Sequence, residues 1–227
     1  MMAYDEWAPI YAAIRAEFGY EQADDERVAS SLAGYLSPSV TSRLSFDGDE
    51  VAIVVGSALD LAGIRSLGEV DRVVATADAL SRLEMVAIEP SIVVTDLDSD
   101  PARVCARSRR GQLVAVHAHG DNATEIDRWV PRMAQDQLIG TTQARPHRPL
   151  VNAGGFTDGD RAAYLADAFG ADTITLVGWD LGDPTVGSTK RAKLDWAIRL
   201  LTWLEDRRGE RYDALDGHRS TVDDRPR

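Results

Sequence analysis

The sequence is poor in cysteine and in lysine. Cys105 is the only cysteine among the 227 residues, which excludes an internal disulfide, a cysteine-based zinc cluster and a dithiol redox pair. Lysine occurs only at Lys190 and Lys193, and the other basic residues are arginines. This skew is typical of proteins from salt-loving cells, although an acidic protein from a mesophile with a GC-rich genome is the alternative.

Long apolar runs are also missing. No run approaches the roughly 18 residues that a membrane-spanning helix needs. The chain begins with Asp5 and Glu6 close to its first residue, where a secretory signal would be basic and then apolar. We therefore expect a cytoplasmic protein without a membrane partner, and 44% hydrophobic residues suffice for a buried core.

Positive charge is scarce relative to negative charge. The chain has 37 acidic and 25 basic residues, a net charge of −12. Because binding to nucleic acid requires a basic surface that neutralises phosphates, nucleic acid is excluded as the main partner. In molar salt the screening length is about 3 Å, so such a surface barely repels itself or an anionic substrate.

The hydrophobic pattern changes near residue 50. Before it, Trp7, Ile10, Tyr11 and Ile14 recur at helical spacing, and a second helical stretch is predicted at 24–35. After it, short runs rich in Val and Ile alternate with helix-like stretches, the rhythm of βαβ units. We predict an N-terminal helical cap (1–45), an α/β catalytic core (46–208) and a loose charged tail (209–227). The predicted strands are 51–55, 72–76, 92–95, 113–117, 137–141, 150–152 and 173–177.

The predicted strands are almost continuously apolar, which implies that both faces of the sheet are covered. The fold class is therefore α/β, a Rossmann-like three-layer sandwich with a mostly parallel sheet. In such sheets ligands bind outside the carboxyl ends of the strands. Four candidate ligand-binding residues follow predicted strands there: Gly56, Ser57, Asp78 and Asp180.

Two carboxylates, Asp96 and Asp98, follow the third predicted strand. On an extended segment, residues two apart share a face, so both can reach one hard cation through oxygen, and Mg²⁺ is the natural choice. The alternative is that Asp98, Ser99 and Asp100 cap the next helix, which one of them is expected to do.

A second polar loop, which runs from His117 to Asn122, follows the fourth predicted strand. His117, His119 and Asp121 could hold a transition metal. The same order equally suits contact with phosphate or substrate, with Asn122 and Glu125 as a capping box, or simple packing.

A glycine-rich segment precedes a predicted helix between Ala153 and Arg161. Its backbone can approach a ligand closely, which makes candidates of Thr157, Asp158, Asp160 and Arg161. The GxxxxGK[ST] string is absent and no GxGxxG follows a strand, so Walker-type and dinucleotide-type sites are disfavoured.

Basic residues stand at the wrong end of the last predicted helix (188–206). Its first turn holds Lys190, Arg191 and Lys193 after the candidate cap Ser188, although cations are unfavourable at a helix N-terminus by about 0.3 to 1 kcal/mol. A bound polyanion would reverse this sign. The alternative is a solvated basic turn that salt screens.

These strings, in this order and spacing, resemble the archaeal-type 6-hydroxymethyl-7,8-dihydropterin pyrophosphokinases (the MptE-like family), whose core is similar to that of thiamine pyrophosphokinase. The resemblance covers most of the chain after residue 50. It rests on TDLDS (95–99), HAHGDN (117–122), GFTDGDR (155–161), GWD (178–180) and KRAKL (190–194).

The resemblance implies transfer of the terminal diphosphate of ATP to a reduced pterin in the biosynthesis of tetrahydromethanopterin or folate, with AMP released. Asp96 and Asp98 would hold Mg²⁺, and Asp121 would be a further ligand. Lys190, Arg191 and Lys193 would neutralise the moving diphosphate. A thiamine-type pyrophosphokinase and a nucleotide-binding module without turnover remain alternatives, and a homodimer is a possible assembly.

The excess of negative charge leads to a prediction about salt. Uncompensated carboxylates repel one another in the folded state, and this repulsion weakens when salt screens it. The thermal midpoint should therefore rise by several degrees or more between dilute buffer and about 2 M KCl. An unchanged midpoint across this range would remove the argument for a salt-adapted surface.

Overall fold

The structure is a computed structural model that describes residues 2–37, 40–56 and 58–219, except for the side chains of Leu61 and Ser66. The candidate residue Ser57 and positions 220–227 of the predicted tail lie outside the described residues.

Eight α-helices and six strands occur in the described residues. The helices are α1 (Tyr4–Phe18), α2 (Gln22–Tyr35), α3 (Leu61–Ser66), α4 (Leu80–Met85), α5 (Pro101–Ser108), α6 (Ala123–Trp129), α7 (Asp158–Ala168) and α8 (Ser188–Arg208). The strands are β1 (Glu50–Val54), β2 (Arg72–Thr76), β3 (Ile92–Thr95), β4 (Leu113–Ala118), β5 (Leu138–Thr142) and β6 (Thr173–Val177).

The strands form one sheet in the order β5-β4-β3-β2-β1-β6. Every pair of neighbours is parallel, so all carboxyl ends meet along one edge. The predicted α/β class with a parallel sheet is confirmed. The order reverses beside β1, because the chain crosses the sheet from β5 to β6 through α7.

Both faces of the sheet are buried, as the apolar strands predict. Alternate residues of β1 show the division. Val51 and Ile53 pack in one cluster with residues of α1, α7 and α8, whereas Ala52 and Val54 pack in another that includes Leu83 of α4. Three layers therefore enclose the core.

The two N-terminal helices lie on opposite faces of the sheet. Trp7 and Ile10 of α1 belong to the cluster of α7 and α8. The indole Nε1 of Trp7 donates to the Gln143 carbonyl oxygen at 2.8 Å. Leu32 of α2 belongs to the cluster on the other face, with Ile126 of α6. The predicted helices are confirmed, and they bring the turn between them to the carboxyl end of β4.

The predicted strand at 150–152 is wrong. Val151 makes a single bridge with Thr141, after which the chain leaves the sheet. Asn152 donates to the carbonyl oxygens of Gln143 and Ala144 at 3.1 and 2.9 Å. These side-chain hydrogen bonds replace a ladder and direct the chain towards α7.

Two of the predicted helix caps differ from the structure. Asp100 caps α5 as expected, accepting from the Arg103 amide at 3.2 Å. Asn122 does not pair with Glu125, because its side chain contacts residues that precede the helix. Ser188 is the first residue of α8, whose N-cap is Gly187 without a side-chain hydrogen bond.

Part of the predicted tail packs on the core. Tyr212 and Leu215 are buried, and the buried Glu205 of α8 accepts from Arg219 at 2.6 and 2.7 Å. The division into cap, core and tail stays a prediction. None of the helices in the described part of the chain is long and apolar enough to cross a membrane.

Candidate active site

Three carboxylates meet at the carboxyl end of β3. Asp96 and Asp98 follow that strand, and Asp158 is the first residue of α7. One oxygen from each lies within 4.8 Å of the others. Carboxylate oxygens are the ligands that Mg²⁺ and similar hard cations prefer, so the donor set fits a divalent metal ion.

The loop after β3 bends sharply to bring Asp96 and Asp98 together. Leu97 between them has φ +70°, so the segment is not extended as predicted. The buried Leu97 side chain packs in the core, and the Asp98 amide donates to Asp96 Oδ1 at 3.1 Å. A non-glycine residue in this conformation is uncommon and is typical of functional loops.

Asp160 shapes the segment that brings in Asp158. Its fully buried carboxylate accepts from the amides of Phe156 and Thr157 at 2.6 and 2.8 Å. Thr157 and Asp160 also form the capping box of α7. A Cβ on Gly155 would lie 2.4 Å from the Arg161 Cα, so the loop requires glycine there. These candidate residues therefore support the loop.

A buried cation lies behind the acidic group. Arg161 is 4% exposed, and its Nη1 donates to Asp158 Oδ1 at 2.7 Å. Its Nη2 donates to the Phe156 carbonyl oxygen at 2.6 Å. Arg161 thus orients Asp158 and compensates part of the negative charge.

His119, from the loop after β4, contacts the same group. Its Nε2 lies 3.4 Å from Asp96 Oδ2, and its Nδ1 accepts from the Asp121 amide at 3.3 Å. His119 therefore faces Asp96 with Nε2 as the donor.

His117 is enclosed behind this loop. It is 1% exposed, and its Nδ1 lies 3.0 Å from Thr141 Oγ1. Burial, followed by the charges of Arg161 and His119, holds its pKa well below the usual value. Metal ligation by the histidine pair has no support, since neither ring belongs to the acidic group found among the described residues.

The three carboxylates titrate differently because their surroundings differ. Burial would raise the pKa of Asp96, but the hydrogen bond with His119 and the charge of Arg161 outweigh it and lower the pKa. Loss of hydration and repulsion from Asp96 raise the pKa of Asp98 to about 6, although its side chain reaches the surface. Burial and repulsion from Asp96 raise the pKa of Asp158 well above normal.

Asn122 ties the two loops of the site together. Its Nδ2 donates to the carbonyl oxygens of Asp96 and His117 at 2.8 and 2.7 Å, and its Oδ1 accepts from the His119 amide at 3.1 Å. Every polar atom of the amide is used, so this candidate holds the loops in register.

The three basic residues near the start of α8 have different surroundings. Lys193 lies with its Nζ 6.0 Å from the centre of the Phe156 ring, and its charge acts on Asp98. Arg191 donates to the carbonyl oxygens of Leu181 and Asp183, so it holds the preceding loop. Lys190 is exposed.

The remaining candidates lie farther along the edge. Gly56 and Asp78 join the loops after β1 and β2, and the Gly56 amide donates to Asp78 Oδ1 at 3.2 Å. A Cβ on Gly56 would lie 2.5 Å from the Asp78 carbonyl oxygen, which explains the glycine. Asp180 and Asp121 are exposed, and Asp121 is not a member of the acidic group among the described residues.

One buried acidic residue near the site was missed by the sequence analysis. Asp25 of α2 is 2% exposed and accepts from the Gly120 amide at 2.6 Å and from Gln143 Nε2 at 2.9 Å. It also accepts from the hydroxyl of Tyr11. Asp25 stands next to the exposed Asp24 in the same helix. The local sequence therefore gives no sign that Asp25 is buried and Asp24 is not.

Together the parallel sheet and the carboxylates define an α/β protein with an acidic group at the carboxyl edge of its sheet that could hold a metal ion. A family model described as "6-hydroxymethylpterin diphosphokinase MptE-like" matches residues 28–185. The chain belongs to this family, and the predicted pyrophosphokinase class is confirmed. Lys190, Arg191 and Lys193 lie beyond the matched residues.

The similarity extends over nearly the whole length of three archaeal relatives. The 6-hydroxymethyl-7,8-dihydropterin pyrophosphokinase of Methanothermobacter thermautotrophicus is 36% identical over 219 residues, 88% of this chain and 94% of the relative. The enzyme of the same name from Pyrococcus furiosus is 36% identical over 225 residues, 90% and 95%. That from Methanocaldococcus jannaschii is 29% identical over 236 residues, 91% and 97%.

The geometry predicts which aspartates bind Mg²⁺. A ligand that binds only the folded state raises the thermal midpoint, so added Mg²⁺ should stabilise the wild-type protein. Asp96→Asn, Asp98→Asn and Asp158→Asn should each lose most of this shift, whereas the matched control Asp121→Asn should retain it. The reverse result, with Asp121→Asn losing the shift and Asp158→Asn keeping it, would reassign the third ligand.

The raised pKa of Asp98 predicts a pH dependence. Below about pH 6 the metal-free protein holds a proton on Asp98, and that proton must leave before the oxygen can bind a cation. Stabilisation by Mg²⁺ should therefore be small near about pH 5 and grow as the pH rises through about 6. Equal midpoint shifts at about pH 5 and about pH 7.5 would contradict this.

Proposed function

We propose that the protein transfers the terminal diphosphate of ATP to the hydroxymethyl group of 6-hydroxymethyl-7,8-dihydropterin, with Mg²⁺ held by Asp96, Asp98 and Asp158. The products are AMP and the pterin diphosphate. The observation that carries the proposal is the group of three carboxylates within 4.8 Å at the end of β3. Membership of the family favours a pterin over thiamine as the acceptor and turnover over simple nucleotide binding.

A divalent cation at this site would offset phosphate charge and draw electron density from the phosphorus. The chain's own contribution is to hold the ligand oxygens in place. Asp96 and Asp98 are fixed by the bent loop, and Asp158 is fixed by the 2.7 Å bond from Arg161. This prior arrangement reduces the reorganisation that the reaction requires.

In the reaction, the acceptor hydroxyl oxygen attacks the β-phosphorus of ATP. The bond from that phosphorus to the oxygen bridging it to the α-phosphate breaks, and AMP leaves with the electron pair. Catalysis of this kind depends mainly on positioning and charge. The charge of Lys193 acts on Asp98 of the acidic group, so Lys193 would neutralise the moving diphosphate, and Lys190 precedes it by three residues on the same helix.

His119 would orient the acceptor hydroxyl, a role supported by the contact of its ring with Asp96. The hydroxyl proton leaves to a carboxylate of the acidic group. The salt-adapted surface, a homodimer and direct contacts from Gly56, Asp78 and Asp180 stay predictions.

The proposal is tested by incubating the protein with ATP, Mg²⁺ and the reduced pterin, and separating the products by chromatography. AMP and the pterin diphosphate should appear in equal amounts. Formation of ADP, or AMP only when thiamine replaces the pterin, would contradict the assignment.

The two lysines lead to a separate prediction. Removing a charge-assisted contact that strengthens in the transition state lowers the rate by about 10- to 100-fold. Lys193→Gln should lower kcat/KM for ATP by about this factor. Lys190→Gln should lower it by less, because the Lys190 side chain is exposed. Stability of the double variant in urea should be equal or slightly higher, since an unfavourable charge at the helix N-terminus is removed. Unchanged catalysis in the double variant would leave this turn a solvated surface.

A further inference from the structure

A small cleft opens beside the acidic group, between the turn that joins α1 to α2 and the loop after β4. Its volume is about 110 Å³. The walls include Tyr20, Asp24 and Asp25 on one side and His119, Asp121 and Gln143 on the other. Of these lining residues, the function proposed above uses only His119.

The cleft and the acidic group share His119. The ring of His119 lines the cleft, and its Nε2 lies 3.4 Å from Asp96 Oδ2. A molecule held in the cleft therefore has one end next to the carboxylates proposed to bind the metal ion. An acceptor that attacks a metal-bound phosphate has to occupy such a position.

The cleft is rich in hydrogen-bond acceptors. Asp24, Asp25, Asp121 and Glu21 contribute carboxylates, and among its described lining residues there is no lysine or arginine. Phosphate groups are repelled by such a surface, whereas a neutral molecule with several N–H donors is attracted. Lys193 acts on the acidic group from α8 instead, so anion and acceptor favour different sides of the site.

The shape of the cleft is fixed by the buried Asp25. This carboxylate bonds the Gly120 amide and Gln143 Nε2, and within the described part of the chain it has no cation at ion-pair distance. A Cβ on Gly120 would lie 3.0 Å from the Asp24 Cβ, so the two walls are in close contact. A ligand would meet a preformed surface, which lowers the entropic loss on binding.

We infer that this cleft binds the acceptor, a neutral amino-oxo-dihydropteridine whose N–H groups donate to the carboxylates of Asp24 and Asp121. This inference rests on the proposed function. The two adjacent N–H donors of such a ring match the acceptor geometry of a carboxylate. Tyr20, which stacks on Phe18 with ring centres 5.5 Å apart, adds an aromatic wall for the flat heterocycle.

The carboxylates of Asp24 and Asp121 have capacity for a ligand. Among the described residues Asp24 pairs only with Arg27, at 3.2 Å on the surface, and such exposed pairs are weak. Asp121 is exposed, and its amide, not its carboxylate, bonds His119. Replacing either aspartate by asparagine keeps the size of the side chain and removes the charge.

The test compares Asp24→Asn and Asp121→Asn with the control Glu26→Gln, which removes a charge from the exposed face of α2. Each aspartate variant should raise KM for the pterin about tenfold, equivalent to about 1.4 kcal/mol. KM for ATP and the Mg²⁺-induced rise in the thermal midpoint should stay at wild-type values. Glu26→Gln should match the wild type throughout.

Two outcomes overturn the inference: an unchanged KM for the pterin in both aspartate variants, or a rise in KM for ATP instead. If the wild-type protein makes no AMP with the pterin, the proposed function fails, and equilibrium binding of 6-hydroxymethylpterin followed by its fluorescence decides the cleft separately. Binding that weakens in both aspartate variants supports the cleft. Equal binding by all variants, or none by the wild type, overturns it.

Discussion

Repulsion between three neighbouring carboxylates is the constraint on which the site depends. Asp96, Asp98 and Asp158 approach within 4.8 Å, an arrangement that like charges oppose unless cations or protons compensate. Arg161 supplies one compensating charge from the buried side. The pKa values of Asp98 and Asp158 are raised, so these carboxylates hold protons more readily and repel one another less. A divalent ion would replace those protons, so the metal-free site is prepared for a cation.

The fold holds the three carboxylates close together in spite of their repulsion. All carboxyl ends of the strands lie along one edge, and the crossover from β5 to β6 places the start of α7 over β3. The side chains of Asn122 and Asp160 then hold the loops through hydrogen bonds to backbone atoms. Two residues that the sequence offers as candidates for ligand contact therefore support the loops through these hydrogen bonds.

The sheet could be predicted from the sequence because its signal is local. Runs of Val and Ile such as 92–95 and 173–177 agree with the observed strands, since a strand buried on both faces needs apolar residues throughout. The segment 150–152 carries the same apolar signal, but Asn152 diverts the chain through hydrogen bonds to carbonyl oxygens that only the fold brings near.

The site was predictable only where its residues are close in sequence. Asp96 and Asp98 were identified together, although a bend at Leu97 and not an extended segment unites them. Asp158 was a candidate without a metal role, because its approach to β3 depends on a crossover of the whole sheet. Asp25 gave no signal, since a helix pattern cannot distinguish a buried aspartate from its exposed neighbour.

We propose that Asp96, Asp98 and Asp158 hold the metal ion at which diphosphate is transferred. Anomalous diffraction from crystals grown with Mn²⁺ and a non-hydrolysable ATP analogue tests it most directly. We expect Mn²⁺ at about 2 Å from an oxygen of each aspartate, with phosphate oxygens completing its coordination. A metal ion bound through Asp121 or His119, with Asp158 left paired only with Arg161, would contradict it.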